Sequence, residues 1–191
     1  MNKYEFFETG IEGLTLINPF HLMDERGLMK KTFEINIFEQ NNINFHPIEE
    51  METTSKKGVL RGLHFQTSNS QAKLVRCSKG AILDVAVDLR KGSETFGKSF
   101  SVLLSSENKK MLYIPRGFAH GCLTVIEDST FYYLSDNKYY PEYDSGIRWD
   151  DKDLNINWEM DGSIEVILSE KDKHLGSFQN FITTHGAIEI L

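Results

Sequence analysis

Short runs of apolar or alternating residues, separated by turn signals, recur along most of this chain. They lie at 13–20, 58–66, 73–93, 96–106, 110–126, 129–140 and 163–168. Gly-containing pairs such as Lys79-Gly80 and Lys91-Gly92 mark bends between the apolar runs. Many short strands at this spacing predict an all-β sandwich, barrel or jelly roll.

Helix signals are few. The run "FEINIFEQNN", residues 33–42, predicts one helix with Ile37 and Phe38 on its apolar side. The run "SENKKM", from Ser106, could supply a single helical turn. We therefore expect a sheet protein with only a few short helices.

The run "AILDVAVDL", residues 81–89, shows the alternation of a strand. One face is wholly apolar and is expected to pack in a core: Leu83, Val85, Val87 and Leu89. The other face carries Asp84 and Asp88 among small apolar residues. Taken alone, this second face is predicted to meet solvent, with a wet cavity as the alternative.

The run "KKGVLRGLHFQ", residues 56–66, places polar residues inside an apolar strand. Strict alternation would put Arg61 and His64 on opposite faces. A bulge at Gly62 would instead turn both side chains toward one cavity. The strand is therefore either a half-solvated edge or the wall of a site.

Bulk properties narrow the class of protein. A chain of 191 residues fits one large domain with a substantial core. The formal charge of −7 argues against binding to nucleic acid or to an anionic membrane surface, although a local cationic cluster can still bind an anionic ligand. Cys77 and Cys122 lie in apolar runs and are expected to be reduced core thiols. No signal peptide or membrane span is apparent, so we expect a cytoplasmic protein.

Histidine and tyrosine supply the candidate acid–base groups. His64 and His120 lie within the apolar runs. Two histidines are fewer than the three or four ligands that a stable metal site needs. Tyr133, in "FYYLSDNKYY", could act as an acid or stack on a base. Judged singly, each of these residues is more often structural.

Taken jointly, several segments are informative in their order along the chain. They read "DERG", "KKGVLRGLHFQ", "KLVRCSKGAILDVAVDLRKGSETFGK", "LSSENKKMLYIPRGFAHG", "YYPEYDSGIRWDD" and "LSEKD". From about residue 10 to about residue 173 the chain resembles the 3,5-epimerases of dTDP-4-keto-6-deoxyglucose, the dTDP-4-dehydrorhamnose 3,5-epimerase family. The tail, residues 175–191, lies outside this resemblance and is left unassigned.

The resemblance implies a fold, a partner and a reaction. It implies one cupin domain over residues 1–191, a double-stranded β-helix jelly roll, in a homodimer that exchanges N-terminal strands. It also implies a nucleotide-diphosphate 4-keto sugar as substrate. No metal and no organic cofactor are implied.

The resemblance also assigns the catalytic roles. His64 is the implied base and Asp172 the carboxylate that orients it. Tyr133 is the implied acid on the opposite face of the sugar, and Lys73 is implied to stabilise the enolate oxygen.

The implied substrate contacts extend from the keto sugar to the nucleobase. His120 lies near the sugar, Arg26 and Arg61 hold the diphosphate with Lys171 nearby, and Tyr139 stacks on the base. Four positions depart from the family pattern. Lys31 stands at an acidic position, Glu49 and Met51 replace a Gln and an Asn of the ligand pocket, and Asp144 replaces a longer Glu.

Intact chemistry with altered recognition leaves several functions open. Double inversion at C3 and C5 is favoured, and a mono-epimerase, or an epimerase of a sugar on another nucleotide, is the closest alternative. A keto-sugar isomerase and a non-catalytic sugar-binding cupin are more distant. A metal-dependent cupin oxygenase is disfavoured, because no second histidine follows His64 at ligand spacing.

Overall fold

The structure is a computed structural model that describes residues 3–160 and 164–190. Within these residues the chain forms thirteen strands, three short α-helices and a 3₁₀ turn at Pro141–Tyr143. The strands are β1 Glu5–Glu8, β2 Thr15–Asn18, β3 Phe20–Asp24, β4 Gly27–Lys31, β5 Glu49–Ser55, β6 Leu60–Gln66, β7 Lys73–Lys79, β8 Ala81–Asp88, β9 Ser99–Ser105, β10 Met111–Ile114, β11 Phe118–Thr124, β12 Ser129–Ser135 and β13 Asp144–Gly146. The helices are α1 Ile35–Gln40, α2 Glu170–Lys173 and α3 Phe178–His185.

Two antiparallel sheets face each other. The larger has six strands in the order β1-β2-β10-β7-β12-β5, and the smaller has five in the order β13-β6-β11-β8-β9. Strands β3 and β4 form a separate hairpin. Strand neighbours are mostly distant in sequence, as in a jelly roll, and the predicted all-β class is confirmed.

Strand β8 lies inside the five-stranded sheet and is buried on both faces. Val85 and Val87 pack with Trp158 and Phe178 of the C-terminal segment, as the predicted alternation requires. Ile82 packs on the other side in the core between the two sheets. Because each face has its own covering layer, no side chain of β8 reaches bulk water.

The predicted solvent exposure of the second β8 face is therefore wrong. Asp84 and Asp88 are both 0% exposed. Asp84 pairs with His120, and Asp88 with Arg90. A strand pattern cannot distinguish solvent from an enclosed polar partner, because both accommodate a carboxylate.

The C-terminal segment covers the outer face of the five-stranded sheet. Phe178, Phe181 and Ile188 belong to the core cluster on that face. The Lys91 backbone N–H donates to the Ile188 carbonyl at 2.9 Å. Ser177 caps α3 by accepting a hydrogen bond from the Asn180 backbone N–H at 3.1 Å. The tail that the sequence left unassigned thus completes the core.

The minor elements agree only in part with the sequence pattern. Helix α1 lies inside the predicted range 33–42, and its Phe38 is fully buried. The run from Ser106 makes one turn, closed by the Lys109 N–H to the Ser105 carbonyl at 3.0 Å. The run at 163–168 forms no strand in its described part, 164–168, where Ile167 makes only an isolated bridge. Ser163 lies outside the described residues.

Two further features bear on the expectations from composition. Cys77 and Cys122 are free and buried, as predicted. Across residues 3–160 and 164–190, no helix has both the length and the apolar character that crossing a membrane requires.

The β3–β4 hairpin exposes several large apolar side chains, with Met23 at 70% exposure and Met29 at 51%.

Asp88 is predicted to stabilise the fold through its hydrogen bonds. Burial alone would raise its pKa, but hydrogen bonds from Arg90, Ser93 and Thr95 outweigh burial and lower the pKa to about 2. Because an unfolded Asp titrates at about 3.9, this stabilisation is complete above about pH 4 and is lost as the pH falls toward 2. Asp88→Asn should therefore lower the free energy of unfolding by about 2 kcal/mol at pH 7.

Urea denaturation at pH 7 and at pH 3 measures this effect. The difference between the wild type and Asp88→Asn should shrink at the lower pH. Asp150→Asn is the matched control, because its pair with Arg148 lies on the surface and should contribute much less. Equal losses in the two variants would contradict the prediction.

Candidate active site

A cavity of about 290 Å³ lies between the two sheets. Strands β6 and β11 form one wall, and β5, β7 and β12 form the other. Six of the twelve residues predicted for the site line it: Met51, Arg61, His64, Lys73, His120 and Tyr133. The lining is completed by four residues that were not predicted as site residues: Thr53, Gly121, Cys122 and Phe131.

Close contact between β6 and β11 directs two of these side chains into the cavity. The register between the strands shifts between His120 and Cys122. Gly62 has φ +112°, and a Cβ there would lie 2.6 Å from the Gly121 Cα. A Cβ on Gly121 would lie 2.9 Å from the Arg61 carbonyl oxygen. The predicted bulge is confirmed, and Arg61 and His64 share one cavity because of it.

His64 is paired with a buried carboxylate from the C-terminal segment. Its Nε2 lies 2.5 Å from Oδ1 of Asp172, whose side chain is only 3% exposed. Ser169 Oγ donates to Oδ2 of Asp172 at 2.8 Å and accepts from the Asp172 backbone N–H at 3.1 Å, which caps α2. No other hydrogen bond to the His64 ring is found among the described residues, so Nδ1 is available as an acceptor.

The pKa of Asp172 reflects these contacts. Burial acts to raise this pKa, but the hydrogen bond from His64, with help from Ser169 and Lys171, holds it below its ordinary value. Asp172 is therefore ionised at neutral pH and can stabilise a protonated His64 ring. Ser169 was not predicted, although a Ser three residues before an Asp is a recognisable capping signal.

His120 has a carboxylate partner of its own. Its Nε2 lies 2.8 Å from Oδ1 of Asp84 in the buried region behind the cavity. Asp84 Oδ2 is buried without a hydrogen-bond partner among the described residues. Asp84 was missed as a site residue, and its signal was a carboxylate in an otherwise apolar strand.

Tyr133 faces these histidines from the other sheet. Its ring centroid lies 6.4 Å from that of His120, and the Lys73 Nζ lies 5.3 Å from the Tyr133 ring centroid. Burial raises the pKa of the Tyr133 phenol, and the negative charge of Glu49 raises it further. The phenol is therefore protonated at neutral pH.

Lys73 lies at the start of β7. Enclosure of its ammonium group lowers its pKa to about 8, although the negative charges of Asp84 and Asp144 favour the charged form. The group thus remains mainly cationic at pH 7 but titrates well below an ordinary lysine. A cation of this kind is suited to stabilise an oxyanion.

Strand β5 contributes two of the four departures from the family pattern. Met51 lies directly opposite Tyr133 in the β5–β12 ladder and lines the cavity. Glu49 is two residues earlier on the same face, opposite Ser135. Glu49 acts on Tyr133 through its charge and does not line the cavity.

Three predicted residues form a separate group on the His64 side. The Tyr139 phenol donates to Oδ2 of Asp144 at 2.7 Å, and the Lys171 ammonium binds the same oxygen. Gln66 holds the loop before Asp144, since its Oε1 accepts from the Tyr140 backbone N–H at 2.7 Å. This contact gives Gln66 a structural role that the sequence did not indicate.

Arg26 is the one predicted residue that lies far from this cavity in the single chain. It is at the turn of the β3–β4 hairpin, where its side chain is 85% exposed and binds Asp24 at 2.5 Å. On the same hairpin, Lys31 pairs with Glu34 at 2.7 Å. The single chain therefore does not bring Arg26 together with Arg61.

The fold and the site define an acid–base enzyme built on two facing sheets, with a His–Asp pair on one wall of the cavity and a phenol on the other. Among the described residues, no group of three or more His, Cys, Asp and Glu side chains is arranged to hold a metal ion.

Comparison with known proteins identifies the family. A profile described as dTDP-4-dehydrorhamnose 3,5-epimerase matches residues 8–180. The dTDP-4-dehydrorhamnose 3,5-epimerase of Methanothermobacter thermautotrophicus is 44% identical over 174 residues, which cover 91% of this chain and 94% of that protein. The chain belongs to the dTDP-4-dehydrorhamnose 3,5-epimerase family, isomerases of the cupin fold. The family match extends beyond the predicted limit near residue 173, to residue 180.

Two solved structures are also similar. The dTDP-6-deoxy-D-glucose-3,5-epimerase of Legionella pneumophila, in complex with dTDP-4-keto-L-rhamnose, has a TM-score of 0.92 at 36% identity, covering 99% of this chain and all of that one. A 3'-monoepimerase from Streptomyces bikiniensis, in complex with dTDP-quinovose, has a TM-score of 0.85 at 30% identity, covering 94% of this chain and 90% of that one.

Gly62 is predicted to be irreplaceable for steric reasons. Gly62→Ala should lower the free energy of unfolding by more than about 3 kcal/mol, because the new methyl group would collide with backbone atoms of β11. Gly92→Ala is the matched control: Gly92 also has a positive φ, of +75°, but nothing lies within 4 Å of its Cβ position. Thermal or urea unfolding of both variants measures the difference, and a loss no larger than that of Gly92→Ala would contradict the steric argument.

Proposed function

We propose that this protein inverts C3 and C5 of dTDP-4-keto-6-deoxyglucose, as a dTDP-4-dehydro-6-deoxyglucose 3,5-epimerase. The observation that carries the proposal is that His64 and Tyr133 reach one small cavity from opposite sheets. The name of the Methanothermobacter relative and the ligand of the Legionella structure, a 4-keto sugar linked to dTDP, support this substrate.

The chemistry requires two groups on opposite faces of the sugar ring. A 4-keto group acidifies the hydrogens on C3 and C5, because the carbanion formed at either carbon delocalises into an enolate. Inversion then needs a base on one face and an acid on the other. A cavity with a histidine on one wall and a phenol on the other meets this requirement.

His64 is the proposed base. With Nε2–H donating to Asp172, its Nδ1 can accept the proton from carbon. The ring becomes positively charged when it takes that proton. The buried Asp172 carboxylate stabilises this charge and holds the ring in one orientation.

Tyr133 is the proposed acid. Because its pKa is raised, the phenol retains its proton at neutral pH and can deliver it to the opposite face of the carbanion. Lys73, whose Nζ lies 5.3 Å from the Tyr133 ring centroid, would stabilise the enolate oxygen. His120, held by Asp84, would donate a hydrogen bond to the same end of the sugar.

The remaining predicted residues would bind the nucleotide. Arg61 lines the cavity, where its guanidinium donates a hydrogen bond to Ser55 Oγ at 3.3 Å and would bind the diphosphate through its other N–H groups. Lys171 is half-exposed nearby. Tyr139 is 49% exposed, so its ring is accessible for stacking on the base. The positive charges of Arg61 and Lys171 explain how a protein with a net negative charge can bind an anionic substrate.

Arg26 would join the site only in an assembly, and we propose a homodimer for this reason. The β3–β4 hairpin that carries it exposes Leu22, Met23, Leu28 and Met29. Leu22 lies opposite Met29 on one face of the hairpin and Met23 lies opposite Leu28 on the other, and exposed apolar side chains of this size are typical of an interface. A second copy would bury these side chains and bring its Arg26 toward the diphosphate.

A mono-epimerase is the second candidate. Met51 lines the cavity directly opposite Tyr133, and Glu49 adds a negative charge on the same face. These are the positions that depart from the family pattern beside the proposed acid. The Streptomyces bikiniensis relative is a 3'-monoepimerase, which supports inversion at one carbon as the alternative. No comparable observation favours a keto-sugar isomerase or a non-catalytic binding protein.

The proposed mechanism uses only side chains of the protein. Independence from metals and organic cofactors remains a prediction, as does a cytoplasmic location. Activity that survives exhaustive dialysis against a chelator is the result that the mechanism requires.

Proton exchange in deuterated water tests the proposed function. We expect wild-type enzyme to remove the C3 and C5 proton signals of dTDP-4-keto-6-deoxyglucose, and His64→Ala to lower exchange at both carbons by at least about 10³-fold. Tyr133→Phe should impair inversion more than exchange, because exchange on the face of the base needs no opposing acid. Proton NMR follows both processes.

The pattern of exchange separates the candidates. Exchange at one carbon would identify a mono-epimerase, and no exchange at either carbon would overturn the proposed function. Full exchange by His64→Ala would contradict its role as the base. Binding of dTDP by each variant is the control that it remains folded.

Lys73 is predicted to set the alkaline limit of activity. Its ammonium is lost as the pH rises through about 8, so kcat/KM should fall above that pH. Lys73→Arg should retain some activity, and its kcat/KM should not fall above pH 8, since arginine does not titrate in that range. Lys73→Met should lower kcat by about 10²-fold or more. If kcat/KM of Lys73→Arg falls above pH 8 as it does in the wild type, another group causes the fall.

A further inference from the structure

We propose that Asp144 is a positioning residue that ties the nucleotide end of the site to the helix that carries Asp172. This inference rests on the proposed function and deepens it. Asp144 makes this connection through two residues: Tyr139, whose ring is accessible to a nucleobase, and Lys171, which directly precedes Asp172 in α2. We call these two contacts of Asp144 the tether.

One carboxylate oxygen makes both contacts. Asp144 Oδ2 accepts from the Tyr139 phenol at 2.7 Å and from the Lys171 ammonium. The Asp144 side chain is 14% exposed, whereas that of Lys171 is 46% exposed and the Tyr139 residue is 49% exposed. The carboxylate is thus the enclosed centre of the group, and its two partners extend from it toward solvent.

The position of Asp144 beside the proposed base follows from strand register. In the β13–β6 pairing, Asp144 lies opposite Gln66 and Gly146 lies opposite His64. Asp144 and His64 are therefore near neighbours on adjoining strands, with their side chains on the same face. Burial acts to raise the pKa of Asp144, but the hydrogen bonds from Lys171 and Tyr139 and the charge of Lys171 hold it below its ordinary value.

Helix α2, which carries Lys171 and Asp172, is so short that a single contact affects its stability. Helix α2 has only four residues, capped at Ser169, so it has little stability of its own. The ion pair from Lys171 to Asp144 anchors it one residue before Asp172. Loss of Asp144 should therefore loosen both the Tyr139 ring and the carboxylate that holds His64.

Three variants cut the tether in different places. Tyr139→Phe keeps the ring and removes the phenol donor, while Asp144→Ala removes both contacts. Asp144→Asn keeps a neutral acceptor and loses the ion pair, and it serves if the alanine variant does not fold. Tyr140→Phe is the matched control, since no hydrogen bond to its phenol oxygen is found among the described residues.

Affinity for dTDP alone, measured by titration calorimetry, reports the nucleotide end. Tyr139→Phe and Asp144→Ala should each raise Kd about fivefold. Adding Tyr139→Phe to Asp144→Ala should have no further effect, because the phenol acts through Asp144. Asp144→Ala should also lower kcat about tenfold. Effects on Kd that multiply in the double variant would overturn the tether.

Amide hydrogen exchange tests the same tether without any ligand. Asp144→Ala should speed exchange in residues 170–173 and in residues 137–140, whereas Tyr139→Phe should act only on the second segment. Unchanged exchange in 170–173 in Asp144→Ala, and in Asp144→Asn, would overturn the inference. If wild-type protein bound no dTDP but showed this exchange pattern, the proposed function would fail and the tether would stand.

Discussion

The close approach of β6 and β11 is the constraint on which the rest of the site depends. Gly62 and Gly121 face each other where a Cβ on either would collide with the opposite backbone. The register shift at this point turns Arg61 and His64 into the same cavity. With regular alternation one of the two would point into the core, and the base and the cation would lie on different sides of the sheet.

The C-terminal segment both completes the core and delivers the partner of His64. Phe178 and Phe181 cover the five-stranded sheet, and α2, which precedes them in the same segment, places Asp172 beside His64. Stability and chemistry are therefore coupled in this region. Phe181 also packs against Phe65, the residue that follows His64, with ring centroids 5.1 Å apart.

The sequence anticipated much of the architecture and most of the residues at the cavity. Alternation along β8 correctly assigned its apolar face to the core, and the pattern at 33–42 located α1. It was wrong about Asp84 and Asp88, because an enclosed carboxylate with a histidine or arginine partner has the same local pattern as a solvated one. The order of short motifs indicated the family before any contact was known.

The sequence by itself determined the all-β class, the family and the chemical types of the candidate groups, because these follow from local periodicity and from motifs that are contiguous in the chain. Only the tertiary structure decided which groups meet. Asp172 reaches His64 from 108 positions away, and Tyr139 and Lys171 converge on Asp144 from separate elements. These pairings depend on strand register and on the packing of the C-terminal segment, and neither is encoded by the residues next to the site in sequence.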